Sequence, residues 1–227
     1  MMKNIRELLV NLNIKYRDLQ TYEIAFTHSS YNADVNTKHH DYERLEFLGD
    51  SVIGFVISEV AFELHPDMGQ GLLTKLKSSL VSTNFLAQQS LNLHFDEYVK
   101  VGNSFMGDIR KSSHLLEDIF EAFCGALYLD QGFAVAKEFI VTIFKERLEK
   151  VRIDDLTDYK SKLQEEMQAE HRESVIYEVI GETGPAHDRH FTVHVLFDGI
   201  EMGIGEGSSK KQAEQNAAKE ALKKRVK

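Results

Sequence analysis

Three carboxylates crowd onto an apolar segment early in this chain, and no other feature limits its folding as tightly. The stretch YERLEFLGDS, Tyr42 to Ser51, sets Glu43, Glu46 and Asp50 among Leu45, Phe47 and Leu48. Acidic side chains are rarely buried unless they are paired or bound to a cation, so the fold must give them a face of their own. A helix does this. At about 100° per residue, the three carboxylates fall within an arc of about 60°. Leu45, Leu48 and Val52 share another face and can pack inward.

A second segment repeats the arrangement. In HLLEDIFEAF, Asp118 and Glu121 are spaced i, i+3 and share a face, while Ile119, Phe120 and Phe123 point elsewhere. Two such stripes brought face to face would repel and raise each other's pKa. A divalent cation removes that conflict, and oxygen-only ligands suit Mg²⁺ or Mn²⁺ rather than Zn²⁺. The spacing alone fits two solvated helix faces equally well. A di-iron bundle fits less well, because it needs Glu-x-x-His pairs and no His follows Glu43 or Glu46 by three residues. His114, one turn before Asp118, reads as structural, and the pair His39–His40 as an exposed loop.

From about residue 3 to 150 the apolar pattern is helical, with sets such as Leu115, Ile119, Phe123 and Leu127. The texture changes in EKVRIDDLTDYKS, which is polar and charged and reads as a linker over 151–157. A helix is predicted over about Tyr159 to Ala169. Three strands follow, in SVIYEVIG, RHFTVHVLFDG and IEMGIGEG, each rich in β-branched or aromatic residues and ending in Gly. The last segment, SSKKQAEQNAAKEALKKRV, is a helix rich in Ala, Lys and Glu. Gly203, Gly205 and Gly207 read as a strand end and turn rather than a nucleotide loop. The fold class is therefore an all-α domain over 1–150 followed by a small α+β domain, α-β-β-β-α, over 158–227.

Charge separates the same two parts. The net charge is −9, which by itself argues against a nucleic-acid binder. Yet residues 207–227 hold seven Lys and Arg against only Glu214 and Glu220, so an acidic body carries a basic end. Ser209 and Gln212 form a capping box that starts the last helix at Lys210. Lys210 and Lys211 then sit in its first turn, where cations oppose the helix dipole but phosphate is favoured. The single cysteine, Cys124, permits no internal disulfide and fits a small buried side chain in a reducing compartment. The amino-terminal segment lacks the apolar run of a secretory signal, and SVIGFVISEVAF is too short to span a bilayer. A cytoplasmic protein without a membrane partner is expected.

ERLEFLGDS at 43–51 closely resembles the defining motif of the ribonuclease III family. AFTHSSY at 25–31 is similar to the segment preceding it, and LLEDIFEAFCGALYLDQGF at 115–133 to the family's second acidic motif. SKLQEEMQ, GPAH and GSSKKQAEQNAA resemble a double-stranded RNA-binding domain. The resemblance covers nearly the whole chain in order. It implies an endonuclease domain that forms a homodimer, with a double-stranded RNA-binding domain behind it. It implies cleavage of both strands, leaving 5′-phosphates, 3′-hydroxyls and a short 3′ overhang, in the processing of structured precursor RNA such as rRNA and mRNA. Residue by residue, Glu46, Asp118 and Glu121 match the metal ligands, with Mg²⁺ the expected ion and Mn²⁺ a substitute. Asp50 and Glu121 match the residues named as catalytic, and Glu43 an accessory acid of the same stripe. Phe47 matches an aromatic at the dimer interface. Gln164 and His187 would reach the RNA minor groove, and Lys210 and Lys211 the phosphates. No small-molecule cofactor is implied. The sequence departs from the family at Gln70, where Glu is usual, and at Glu214, where a third Lys is often found. A dimeric RNA-binding protein without catalysis is the alternative, and the four carboxylates Glu46, Asp50, Asp118 and Glu121 argue against it.

Overall fold

The computed structural model describes residues 3–34, 40–151, 156–171, 174–185 and 188–225. His39, His187 and the linker positions 152–155 lie outside them. The chain divides into two compact units, Met1–Leu156 and Thr157–Lys227.

The first unit is helical, as its periodicity predicts. Its elements are α1 (Ile5–Asn11), α2 (Leu19–Ala25), α3 (Ser29–Asp34), α4 (Glu43–Leu64), α5 (Gln70–Leu80), α6 (Thr83–Asn92), α7 (Ser113–Gln131) and α8 (Phe133–Lys150), with 3-10 turns at Phe95–Glu97 and Ile109–Lys111. The two long helices, α4 and α7, form the centre. From α4 the inward face carries Ile53, Val56 and Ile57; from α7 it carries Ile119, Phe120 and Phe123, all essentially inaccessible. Phe123 meets Phe95 at 4.8 Å and Phe26 at 6.1 Å between ring centroids. Burying each such ring stabilises the fold by roughly 1.5–3 kcal/mol. Cys124 is buried in this core, as expected. Asp130 ties the far end of α7 to the α2 entry, accepting from the backbone N–H groups of Arg17 and Asp18 and from the Tyr22 hydroxyl at 3.0 Å. Among the described residues no helix is long and apolar enough to cross a membrane.

The second unit runs α9 (Tyr159–His171), β1 (Ile176–Thr183), β2 (His190–Phe197), β3 (Ile200–Gly207) and α10 (Lys210–Arg225). The strands form one antiparallel sheet in the order β1-β2-β3. The β2–β3 connection is Asp198-Gly199, both at positive φ (48° and 73°), the two-residue turn whose twist matches a hairpin. Two expectations shift. Gly181 does not end β1; the strand runs on to Thr183, and the register slips between Val179 and Gly181. Gly203 and Gly205 are not a turn either. They lie inside β3 on the face toward α10, where an added Cβ on Gly205 would fall 2.1 Å from the Ala217 nitrogen. The alternating glycines let the sheet meet the alanine face of α10, formed by Ala213, Ala217 and Ala221. Half of the capping box forms: Gln212 N–H donates to Ser209 Oγ at 3.2 Å and the helix begins at Lys210, while the Gln212 side chain turns forward to Asn216 Oδ1 at 3.5 Å.

Candidate active site

The two acidic stripes are brought together by main-chain contact. A Cβ on Gly49 would lie 1.8 Å from the Glu121 carbonyl oxygen, and one on Gly125 would lie 2.3 Å from the Leu45 carbonyl oxygen. The helices α4 and α7 therefore touch backbone to backbone. Only Gly allows such an approach, and it falls between Glu46 and Asp50 on one helix and beside Glu121 on the other.

The electrostatics follow from that closeness. Glu121 is 9% exposed. Its carboxyl is pushed up to about 8, first by burial and then by the negative charge of Asp50, Glu117, Glu46 and Asp118. Glu46 is raised to about 6 by burial, then by Asp118, Glu43, Glu117 and Asp50. Asp118 is raised by burial, against the opposing pull of the Tyr42 hydroxyl and of His114 and His28. Asp50 and Glu43 sit on the exposed side of the stripe. The structure thus brings Glu46, Asp50, Asp118 and Glu121 into one field, with Glu43 acting on Glu46.

The donor chemistry fits a hard divalent cation: it is all carboxylate, part-buried, and destabilised by its own charge. Among the described residues, however, no three His, Cys, Asp or Glu side chains converge closely enough to hold one ion. The fit is one of ligand type and shared field rather than of a closed cage.

Three contributors escaped the sequence reading. Tyr42, fully inside the fold, donates its hydroxyl to Asp118 Oδ2 at 3.0 Å, and burial together with Asp118 raises its pKa, keeping it a donor. Glu117 adds to the negative field, and His28 to the positive field at Asp118. All three lie in stretches quoted from the sequence, YERLEFLGDS, HLLEDIFEAF and AFTHSSY, but none was given a role there. His114 is exposed and lies 3.5 Å from the partly buried Glu117. Gln70 opens α5 and lines a groove of about 440 Å³ with Phe62, Leu73 and Lys77, in which none of the site carboxylates takes part.

Phe47 projects from α4 with 78% of its surface exposed. Beside it lies a groove of about 750 Å³ whose apolar walls are Ile24, Leu45, Leu48 and Leu129.

In the second unit, Lys210 and Lys211 are exposed at the start of α10, and Lys210 Nζ lies 5.8 Å from the Phe191 ring centre. Gln164 on α9 is partly exposed and bonds Ser174 Oγ at 3.1 Å and the Val175 N–H. Glu214 holds Lys160 at 2.5 Å, so the residue standing where a third Lys is often found belongs to a pair between α9 and α10.

Residues 18–148 match the family model described as Ribonuclease-III-like, and residues 159–225 match that of the double-stranded RNA binding motif. The chain is 42% identical over 226 residues to Ribonuclease 3 of Streptococcus gordonii, covering 98% of this chain and 97% of that one. It is 42% identical over 215 residues to Ribonuclease 3 of Bacillus cereus, covering 94% and 88%. Among solved structures, the nuclease domain of ribonuclease III from Campylobacter jejuni, described for flexibility in a region involved in dimer formation, matches with a TM-score of 0.58 and 30% identity over 63% of this chain and 97% of that one. Dicer from Pichia stipitis matches with a TM-score of 0.50 and 27% identity over 92% and 95%.

Proposed function

The chain belongs to the ribonuclease III family and is a double-stranded RNA endoribonuclease, and on that premise we propose how its own residues do the work. Glu46, Asp118 and Glu121 would hold a divalent cation, Mg²⁺ with Mn²⁺ as a substitute. The observation that carries this is Glu121: a nearly buried carboxyl set among four other acids and raised to about 8 is a poor structural choice and a good ligand. When bound, the cation activates water and offsets phosphate charge. Asp50, at the exposed edge, would take the proton of the attacking water. Glu121 would serve as a ligand in its ionised form, its proton passing to solvent. Glu43 adds negative charge at the mouth of the site. The products are 5′-phosphate and 3′-hydroxyl ends with a short 3′ overhang, and the substrates are structured precursors of rRNA and mRNA in the cytoplasm.

Residues 1–150 form the endonuclease and dimerisation part, and 158–227 the RNA-binding part. Phe47 enters the apolar groove beside the same residue's position on a second copy, an exchange that two-fold symmetry makes reciprocal. Gln164 and His187 reach minor-groove hydroxyls and base edges, while Lys210 and Lys211 cross to phosphates, recognition by shape more than by sequence.

Glu121→Gln tests the catalytic reading. Cleavage of duplex RNA in Mg²⁺ is expected to fall by orders of magnitude, because transition-state stabilisation is lost. Duplex binding measured in Ca²⁺ is expected to stay near wild type. Wild-type cleavage by the variant removes Glu121 from the site.

A further inference from the structure

Tyr42 belongs to neither carboxylate stripe, yet it is bonded to both. At the N-cap of α4 its carbonyl accepts the Glu46 N–H at 2.9 Å, and its own N–H donates to the Thr27 carbonyl at 3.0 Å. Its side chain runs across to α7, where the hydroxyl donates to Asp118 Oδ2 at 3.0 Å. The ring is 6% exposed and lies 5.8 Å from the His28 ring. His28 is itself fixed, by Ser30 Oγ at 2.8 Å on Nδ1 and by Phe105 at 5.3 Å between ring centroids. The Gly102 N–H in turn donates to Ser30 Oγ at 3.0 Å. The hydroxyl is thus placed by the fold and not by the substrate.

We propose that Tyr42 is a positioning residue that fixes the span between Glu46 and Asp118 before a divalent cation arrives; this rests on the reading that those carboxylates hold the cation. One residue sets the first turn bearing Glu46 through its main chain and the carboxylate plane of Asp118 through its hydroxyl. A hydrogen bond to a carboxylate holds its rotation, and partners of this kind govern how readily ligands accept a metal. Without the hydroxyl, Asp118 is free to turn away from Glu46, whose charge repels it. The cation must then gather the pair itself.

The test uses the full chain and Ca²⁺ alone, titrated by calorimetry without RNA, beside the Mg²⁺ dependence of duplex cleavage. In Tyr42→Phe, Ca²⁺ affinity is expected to weaken about 10- to 100-fold. The Mg²⁺ needed for half-maximal cleavage rises with it, while kcat at saturating Mg²⁺ stays near wild type. Tyr22→Phe is the matched control: it removes a buried hydroxyl that donates to Asp130 Oδ2 at 3.0 Å, and its Ca²⁺ affinity is expected to match wild type. Unchanged Ca²⁺ affinity in Tyr42→Phe overturns the proposal, provided Asp118→Asn loses Ca²⁺. If Asp118→Asn also binds as wild type, the metal-site reading beneath it falls instead. A measurement on the unaltered chain stands apart from any variant's folding: with tyrosine Cζ labelled, the Tyr42 NMR signal shifts on adding Ca²⁺ and the Tyr22 signal does not. A silent Tyr42 signal under Ca²⁺ saturation refutes the coupling.

Discussion

Raising the pH in metal-free buffer should loosen the helical unit, and Glu121 is the main reason. Its carboxyl ionises near 8 in the fold against a reference near 4.5. The folded state therefore holds a proton that the unfolded chain has already released. Stability from this group is present below about pH 4.5 and is lost as pH rises toward 8, because the native state binds more protons across that window. Each pH unit within it corresponds to about 1.4 kcal/mol. Between pH 5.5 and 7.5 the effect approaches about 3 kcal/mol, and Glu46, also raised, adds to it at the acid end. For a unit of this size that lowers Tm by about 6–12 °C. Glu121→Gln cannot ionise and should lack this slope, so the variant becomes the more stable protein at pH 7.5 in EDTA. Adding Ca²⁺ should reverse the order, since under the proposed metal site the cation favours the folded carboxylates. Circular-dichroism melts of both proteins across that range, with EDTA and with Ca²⁺, carry the comparison. Parallel Tm–pH curves for the two proteins in EDTA would falsify the account of Glu121 as a charge held at cost.

Gly49→Ala places a Cβ against the Glu121 carbonyl; it should destabilise the fold by about 3 kcal/mol or more, read as a lowered urea midpoint, and abolish cleavage. Phe47→Ala removes a contact of roughly 1.5–3 kcal/mol from each protomer, so sedimentation of the full chain should show a dimer dissociation constant raised by about two to four orders of magnitude; an unchanged constant excludes Phe47 as the anchor. Lys210→Ala with Lys211→Ala should weaken duplex RNA binding and flatten its dependence on salt, because fewer counterions are released; an equal slope means these lysines only solvate α10.

What could be read from the sequence was what local chemistry decides. The start of α10 was legible because Ser209 and Gln212 cap it within three residues. The acidic stripe was legible because rotation along one helix places Glu43, Glu46 and Asp50 without reference to anything else. The end of β1 was not, because Gly181 is accommodated by a register slip against β2, a property of the pair. Tyr42 was overlooked for the same reason: its partner Asp118 is 76 positions away, and an apolar-looking aromatic before a helix reads as core. Glu214 stood out in the sequence only as a departure where a third Lys is often found, and the packing of α9 on α10 is what shows the Lys160 pair. Phe47 lay outside the reach of periodicity; the role proposed for it came from resemblance, and its exposure from the fold.

The contact of α4 with α7 at Gly49 and Gly125 has a consequence for how such a site changes over generations. Helices that meet through side chains can be retuned in small steps, a methyl at a time. Here the ruler is the peptide plane, which mutation cannot resize. Substitutions elsewhere in the core can erode the stability of the unit while the distance between the acidic rows stays put. The smallest available step at the crossing, a single Cβ 1.8 Å from the Glu121 carbonyl oxygen, is already too large. The spacing of the acidic rows is therefore inherited whole or lost, and diversification is pushed outward, to the grooves, the strand face and the basic helix.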